Sequence, residues 1–309
     1  MTLVSIITPS FNQAAFLQQT LNSVLQQDHH DLEYLVVDGG SRDGSVDIIR
    51  QSASRLAWWV SEPDSGQADA INKALAHARG EVVAWLNSDD YYLPGTVRAA
   101  ARVFQVHPDA VLVYGNMLAV DEANRITNKL VYQQVSLEDL MCFRIIGQPA
   151  AFIRRSALEA VGGLDTSLHM LLDHQLWIRL ATVGRMIHVG ETWAAARYHP
   201  RAKNRASARD FGREAFRILE WMSKEPSLAP VFPDVRNRAR ASAHRVDARY
   251  LVDGGLPLEA LKAWLRALLL HPPTALTRVN LLGSALLQLA GLESIRKRVL
   301  RRRQDRLAR

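Results

Sequence analysis

The sequence predicts an α/β protein built on a mostly parallel sheet flanked by helices, followed by an α-helical C-terminal region. Three observations carry that prediction. Short apolar runs alternate with helix-period segments through the first half of the chain. Each run ends in turn-forming residues that bring polar side chains with them. Beyond Arg201 the composition shifts to Ala, Arg and Leu with helical spacing and no strand signal. Strand, helix and strand in regular order build a parallel sheet covered on both faces.

Taken in order, LVSIITPS is the first strand, and it closes in a Pro-Ser-Phe-Asn turn. Leu17, Leu21, Val24 and Leu25 fall at i, i+4, i+7 and i+8, one apolar face of a helix running through Gln27. LEYLVVDGGS is a second strand ending in Asp-Gly-Gly-Ser, followed by a helix from about Ser45 to Ala53 and a third strand around Trp58, Trp59 and Val60. The helix Gln67 to Ala78 leads through Arg79 and Gly80 into the strand VVAWL, then come a helix from Thr96 to Phe104 and the strand AVLVYGNM. From about Ser136 the alternation weakens. GQPAAFIRRSALEAVGGLD reads as a strand turning into a short helix that stops at Gly162 and Gly163. LLDHQLWIRLATVG is a helix with Leu172, Leu176 and Leu180 on one stripe, and RMIHVGETWAAARYH supplies closing strands. The expected division is a first domain over 1–205 and a helical region over 206–309, with a helix-turn-helix unit between Asp247 and Pro272. Trp85, Trp177 and Trp193 read as core.

A length of 309 residues with 48% hydrophobic and 22% charged residues suits a globular protein with a sizeable core. The single cysteine, Cys142, excludes an intramolecular disulfide and a Cys-rich zinc site, which fits a reducing compartment. MTLVSIITPSFN lacks the basic and apolar regions of a signal peptide, and no apolar run reaches the roughly 18 residues of a membrane span, so a cytoplasmic protein is expected. Of the 38 Lys and Arg residues, eight lie in 296–309 against the single Asp305, so the net +7 belongs to that tail and the body is neutral. The tail reads equally as an amphipathic segment for an anionic membrane surface and as a charged terminus without a role. Its arginines lack interleaved aromatics, which argues against nucleic acid.

In parallel α/β sheets ligands bind beyond the carboxyl ends of the strands. Thr8 and Pro9, Asp38, Glu62 and Asp64, and Asp89 and Asp90 all follow strands, so separate segments deliver carboxylates to one rim. Clustered like charges repel unless a cation sits among them.

TPSFNQAAFLQQTLNSVLQQ, LEYLVVDGGSRDGSVDII, SGQADAINKALAHARGEVVAWLNSDDYYLPG, GQPAAFIRRSALEAVGGLD and LLDHQLWIRL follow, in order, the pattern of family 2 glycosyltransferases with the GT-A fold. The resemblance covers about residues 1–200. It implies metal-dependent, inverting transfer of a sugar from a UDP-, dTDP- or GDP-sugar donor to the hydroxyl of a glycan or lipid-linked acceptor, in surface polysaccharide or glycolipid assembly. Asn87-Ser88-Asp89-Asp90 matches the family's DxD motif, with Asn87 in place of its first acid; Asp89, with Asp90, is then the seat of a Mn²⁺ or Mg²⁺ ion. The resemblance places Thr8, Pro9 and Asp38 around the nucleotide, and Ser88, Asp89, Asp69, Asn72 and Lys73 among its further contacts. It brings Arg197 to the diphosphate and His199 to the metal. Asp173 matches the acidic residue that serves as catalytic base, with Leu172 where a second acid is frequent. Two other functions share the strand-end carboxylates. One is a nucleotidyltransferase, although TPSFNQ has no glycine to grip phosphate; the other is a catalytically silent binding module.

Overall fold

The computed structural model describes residues 2–199 and 207–292. The chain divides into two units, one of Met1–Val135 with Ile146–Tyr198 and the other of Ser136–Ile145 with His199–Arg309. The basic tail over 296–309 and the start of the expected helical region at 206 lie outside the described residues. No helix among the described residues is long and apolar enough to cross a membrane.

In chain order the elements are β1 (Val4–Ser10), α1 (Ala14–Leu25), β2 (Leu32–Asp38), α2 (Ser45–Ser52), β3 (Trp58–Ser61), α3 (Gln67–Leu75) and β4 (Val82–Trp85). Next come β5 (Tyr91–Tyr92), α4 (Thr96–Val106), β6 (Ala110–Val120), β7 (Ile126–Leu130) and α5 (Leu137–Met141). The first unit closes with β8 (Ala151–Arg154), α6 (Arg155–Ala160), α7 (Leu172–Val183) and β9 (Arg185–Arg197). The described strands form one sheet in the order β3-β2-β1-β4-β8-β6-β9-β5, with β7 paired to β6.

The expected α/β architecture is present, with a mixed second half to the sheet. β1, β2, β3 and β4 pair in parallel, as their helix crossovers require, and β6 and β9 do likewise. β8 enters antiparallel between β4 and β6, and β5 and β7 also pair antiparallel. Neither β5, two residues long, nor β7, whose Ile126–Leu130 lacks an apolar run, gives a sequence signal. The segments expected as closing strands form a single strand, β9, whose register against β6 shifts around Tyr114 and Asn116. There Gly115 lets the Trp193 ring approach; a Cβ on it would stand 2.7 Å from that ring.

The core packs α1 through Leu17, Leu21 and Val24, and α4 through Val97, Ala100 and Phe104, against Ile6, Val36, Ala84 and Val113 of the sheet. Leu17, Leu21 and Val24 are the residues whose spacing predicts the helix. Trp85, Trp177 and Trp193 are all buried.

A buried carboxylate fastens the amino-terminal end of the sheet. Glu33 of β2 accepts from Ser5 Oγ of β1 at 2.5 Å, from Arg79 Nε at 3.0 Å, from Gly80 N at 3.2 Å and from the Arg79 backbone N–H. Gly80 also donates to Ser5 Oγ at 2.7 Å, an approach a Cβ would block. Burial alone would raise the Glu33 pKa, but the hydrogen bonds from Ser5 and Arg79 and the Arg79 charge bring it below the ordinary value. A depressed folded-state pKa gives stability that is present above the unfolded value, about 4.3, and lost as pH falls through the folded one. Glu33→Gln should therefore lower stability at neutral pH and flatten the fall in melting temperature between about pH 5 and pH 3. Parallel curves for the two proteins would remove Glu33 from that role.

The second unit is helical. Its first segment holds α5, opened by a capping box between Ser136 and Asp139. Beyond it lie α8 (Ala208–Lys224), α9 (Phe232–Asp253), α10 (Pro257–Leu270), α11 (Pro272–Leu276) and α12 (Val279–Leu289). Small residues let the helices approach closely: Ala241, Ala248, Ala260, Ala263, Ala267 and Ala285 are core, gathered around Trp264. Phe211 of α8 stacks on Tyr250 of α9 with centroids 3.5 Å apart. The helix-turn-helix expected between Asp247 and Pro272 corresponds to the end of α9, the Gly254-Gly255 turn and α10.

Candidate active site

The parallel register gathers the expected residues along one edge of the sheet. Ser10 pairs with Asp38 and Asp38 with Ser61, while Ile7 pairs with Trp85, two residues before Asn87. Thr8, Pro9, Asp38, Glu62 and the Asn87–Asp90 turn thus emerge from the same carboxyl-terminal edge.

Each side chain there has a structural partner that shapes its exposure. Asp38 is fully buried, and its carboxylate accepts from Gly40 N, Ser41 N, Ser41 Oγ and Ser61 Oγ, so it shapes the loop after β2. Thr8 is buried with its hydroxyl 2.8 Å from the Tyr34 phenol, whose pKa burial pushes up. Pro9 lies in buried β1. Asp69, in the first turn of α3, accepts from Ser65 N at 2.9 Å. Lys73 bridges Glu62 at 3.1 Å and Asp69 at 3.6 Å; the hydrogen bond to Glu62, with the surrounding carboxylates, raises its pKa. Asn72 holds the backbone of Leu164 at both its N–H and its carbonyl, pinning the loop after α6.

The two adjacent aspartates diverge. Asp90 is buried: Oδ1 accepts from Arg197 N at 2.9 Å and Oδ2 from Asn87 Nδ2 at 3.2 Å. Burial first, and then the Asp89 charge, push its pKa well above the usual carboxylate range. Asp89 is only half-buried, while Ser88 is buried. Asn87 accepts from Gln67 Nε2 at 2.6 Å while donating to Asp90. An aspartate at position 87 would set a second negative charge against buried Asp90, which gives the amide a physical reason.

Arg197, the last residue of β9, braces the turn from beneath. It is buried, and its guanidinium donates to Asp89 O, Asp121 O, Glu122 O, Asn124 Oδ1 and Gln19 Oε1. It also lies over the Phe16 ring at 4.6 Å. Thr20 Oγ1 ties the Asp90 carbonyl to α1 at 2.7 Å, and Gln148 Nε2 ties the Trp85 carbonyl at 2.6 Å. The bracing role of Arg197 and the contributions of Gln67, Thr20 and Gln148 have no signal in the sequence beyond their places within or beside the five motifs, because their partners are distant in the chain.

Asp173 opens α7, half-buried, with Oδ1 accepting from His174 N at 2.8 Å. The helix is fastened to β4 by stacking of Trp177 on Trp85 at 5.6 Å, and Arg179 holds the carbonyls of Val161 and Gly163. Asp173 therefore stands one helical turn before the residue that grips the strand leading into Asn87–Asp90. His199 is buried and belongs to the second unit.

Among the described residues no three His, Cys, Asp or Glu side chains gather into a metal cage. Asp90 has both oxygens engaged by the protein, which leaves Asp89 as the half-buried carboxylate of the pair. That donor set fits a hard divalent cation completed by phosphate oxygens and water; it does not fit an all-protein site.

Residues 5–162 match the family described as Glycosyl transferase family 2. A putative teichuronic acid biosynthesis glycosyltransferase, TuaG, of Bacillus subtilis (strain 168) is 45% identical over 188 residues, 59% of this chain and 73% of the relative. Two solved structures share the fold. S. aureus TarS 1–349 in complex with UDP-GlcNAc superposes with a TM-score of 0.61 at 17% identity, covering 88% of this chain and 90% of that one. The mannosyltransferase PcManGT from Pyrobaculum calidifontis, in complex with GDP-Man and Mn²⁺, gives 0.62 at 21% identity, covering 94% and 87%. The mixed sheet, its helical layers and the carboxylate-bearing strand ends define a glycosyltransferase of the GT-A fold. The chain belongs to glycosyl transferase family 2.

Proposed function

We propose that this enzyme is an inverting, divalent-metal-dependent glycosyltransferase that moves a sugar from a UDP-, dTDP- or GDP-linked donor to an acceptor hydroxyl during assembly of a surface polysaccharide or glycolipid. The observation that carries it is the Asn87–Asp90 turn, which keeps one carboxylate inside and the other half-buried at the ligand edge of the sheet. The relative named for teichuronic acid biosynthesis supports a polysaccharide product.

In this mechanism Thr8, Pro9, Asp38 and Ser88 line the nucleotide, directly or through the loops they shape, and Asp69, Asn72 and Lys73 hold the α3 wall beside it. Arg197 keeps the turn rigid from below. Asp89 is the residue that would hold Mn²⁺ or Mg²⁺, which when bound neutralises charge on the departing diphosphate. Asp173 removes the proton from the acceptor hydroxyl as its oxygen attacks the anomeric carbon. The sugar–phosphate bond breaks as the new C–O bond forms on the opposite face, so configuration inverts and no glycosyl-enzyme forms. In-line positioning of donor and acceptor supplies much of the rate. His199 has no role assigned in this scheme, which rests on first-unit residues. An anionic membrane surface met by residues 296–309 would keep the enzyme at the cytoplasmic face, near a lipid-linked acceptor.

The test is thermal stability against a panel of nucleotide-sugars with and without Mn²⁺, alongside donor hydrolysis. One donor at about a hundred times its Kd should add about 2.7 kcal/mol of stability, more with metal than without. If no nucleotide-sugar shifts the transition and none is hydrolysed, the proposal fails.

A further inference from the structure

Two helices of the second unit carry apolar residues on the side turned away from their own core. On α10, Ala260, Ala263, Trp264 and Ala267 are buried in the helical core along one face. An ordinary surface helix would be polar opposite that face. Instead Leu258, Leu265 and Leu269 stand exposed there at i, i+7 and i+11, within about 40° of one another around the axis. Packed beside it, α12 buries Leu281 and Ala285 and exposes Val279 and Leu286. Residues 279–292 contain no Asp, Glu, Lys or Arg. Eight of the fifteen large hydrophobic side chains exposed among the described residues fall within 258–292, so the exposure is concentrated here and not scattered.

The charges around these helices point to the occupant. Between Gly254 and Leu292 the sole acid is Glu259, and Arg209 pairs with it at 2.7 Å. Lys262 and Arg266 flank the leucine stripe of α10, exposed, where their stems lie along an apolar surface and their charges reach its rim. Residues 296–309, with eight Lys and Arg against one Asp, begin four residues past Leu292, within about 14 Å of extended chain. An anionic bilayer answers both features, offering its acyl boundary to the leucines and its phosphates to the basic groups. A second copy of the chain would instead bring two tails of the same sign together. At 14 and 11 residues, α10 and α12 are about 21 and 17 Å long, short of the roughly 30 Å hydrocarbon core, so they suit the interface and do not cross it.

We propose that the outward faces of α10 and α12 are a membrane-docking surface that seats Leu258, Leu265, Leu269 and Leu286 in the acyl boundary of a bilayer rich in anionic phospholipid. The choice of anionic lipid rests on the membrane contact proposed for residues 296–309; the apolar half of the contact comes from the described helices. Each signal alone gives weak, reversible binding, and the two together hold the protein at the surface.

The full chain, a Leu265→Gln/Leu269→Gln variant and a Leu269→Gln variant are sedimented with phosphatidylcholine vesicles containing phosphatidylglycerol, at low and high salt. Glutamine keeps helix propensity and adds no charge, so the attraction of the tail is the same in all three. Leu269 is 86% exposed, so its single variant keeps the helical core even if the double one is weakened. The double variant is expected to lose about tenfold or more in vesicle affinity at either salt, and the single variant part of that, while the donor-induced thermal shift stays unchanged in both. High salt should weaken all three by a common factor, which measures the tail alone. If the variants lose affinity but salt has no effect, the tail reading fails and the apolar face is still supported. Variants that bind as the full chain does, or a full chain that ignores vesicles, would overturn the proposal. So would a concentration-dependent dimer that the substitutions dissolve, because the face then belongs to a second copy.

Discussion

Replacing Asp173 by Asn should lower the rate of sugar transfer by about 10²- to 10⁴-fold and leave donor affinity close to that of the parent enzyme. The amide keeps an oxygen to accept from His174 N, so the first turn of α7 retains its hydrogen bond. The stacking of Trp177 on Trp85 and the hold of Arg179 on the preceding loop are untouched. What the variant loses is the capacity to take a proton. Single-turnover transfer measured beside nucleotide-sugar affinity separates the two effects: unaltered turnover would take the base role away from Asp173, and lost donor binding would make it a binding residue.

Replacing Arg197 by Met should cost about 3–5 kcal/mol, the range found when one member of a buried charged network is removed. The carbonyls of Asp89, Asp121 and Glu122 and the side-chain oxygens of Asn124 and Gln19 all lose a donor at once. Arg197→Lys should recover little, because one ammonium cannot span acceptors spread across α1, the Asn87–Asp90 turn and the β6–β7 hairpin. A calorimetric fall in melting temperature on the order of 10 °C, accompanied by weaker donor binding, is the expected result. A change within a degree or two would mean that the turn holds its shape without the guanidinium.

The first half of the fold was legible because its periodicity is strong. Val4–Ser10, Leu32–Asp38 and Val82–Trp85 are apolar runs ended by turn residues, and the faces of α1 and α4 repeat as helices must. Strand-end position also sufficed to bring Asp38 and the Asn87–Asp90 turn to one edge, since a parallel register leaves little freedom. The second half was harder. Nothing local in Ala151–Arg154 says that it will run antiparallel between β4 and β6, and a two-residue strand such as β5 exists only because β9 lies beside it. The orientation of individual side chains was less legible still. Asp90 turns inward because Arg197, 107 positions later, offers its N–H there, and Arg197 is buried by Phe16 and by acceptors from α1, the Asn87–Asp90 turn and the β6–β7 hairpin. Such pairings depend on tertiary neighbours, to which a window of sequence is blind. The Asn87 amide, a departure from the family pattern in the sequence, becomes intelligible only beside the buried Asp90 carboxylate.

The final strand of the first unit, β9, sits inside the sheet with β6 on one side and β5 on the other. During synthesis, therefore, β6 waits with an open edge until residue 197 has left the ribosome, because its permanent neighbour is translated last. The same late arrival delivers the arginine that locks the Asn87–Asp90 turn. Premature termination anywhere before that point leaves a nascent chain with exposed hydrogen-bonding groups and an unset catalytic edge, a natural substrate for chaperones and proteases.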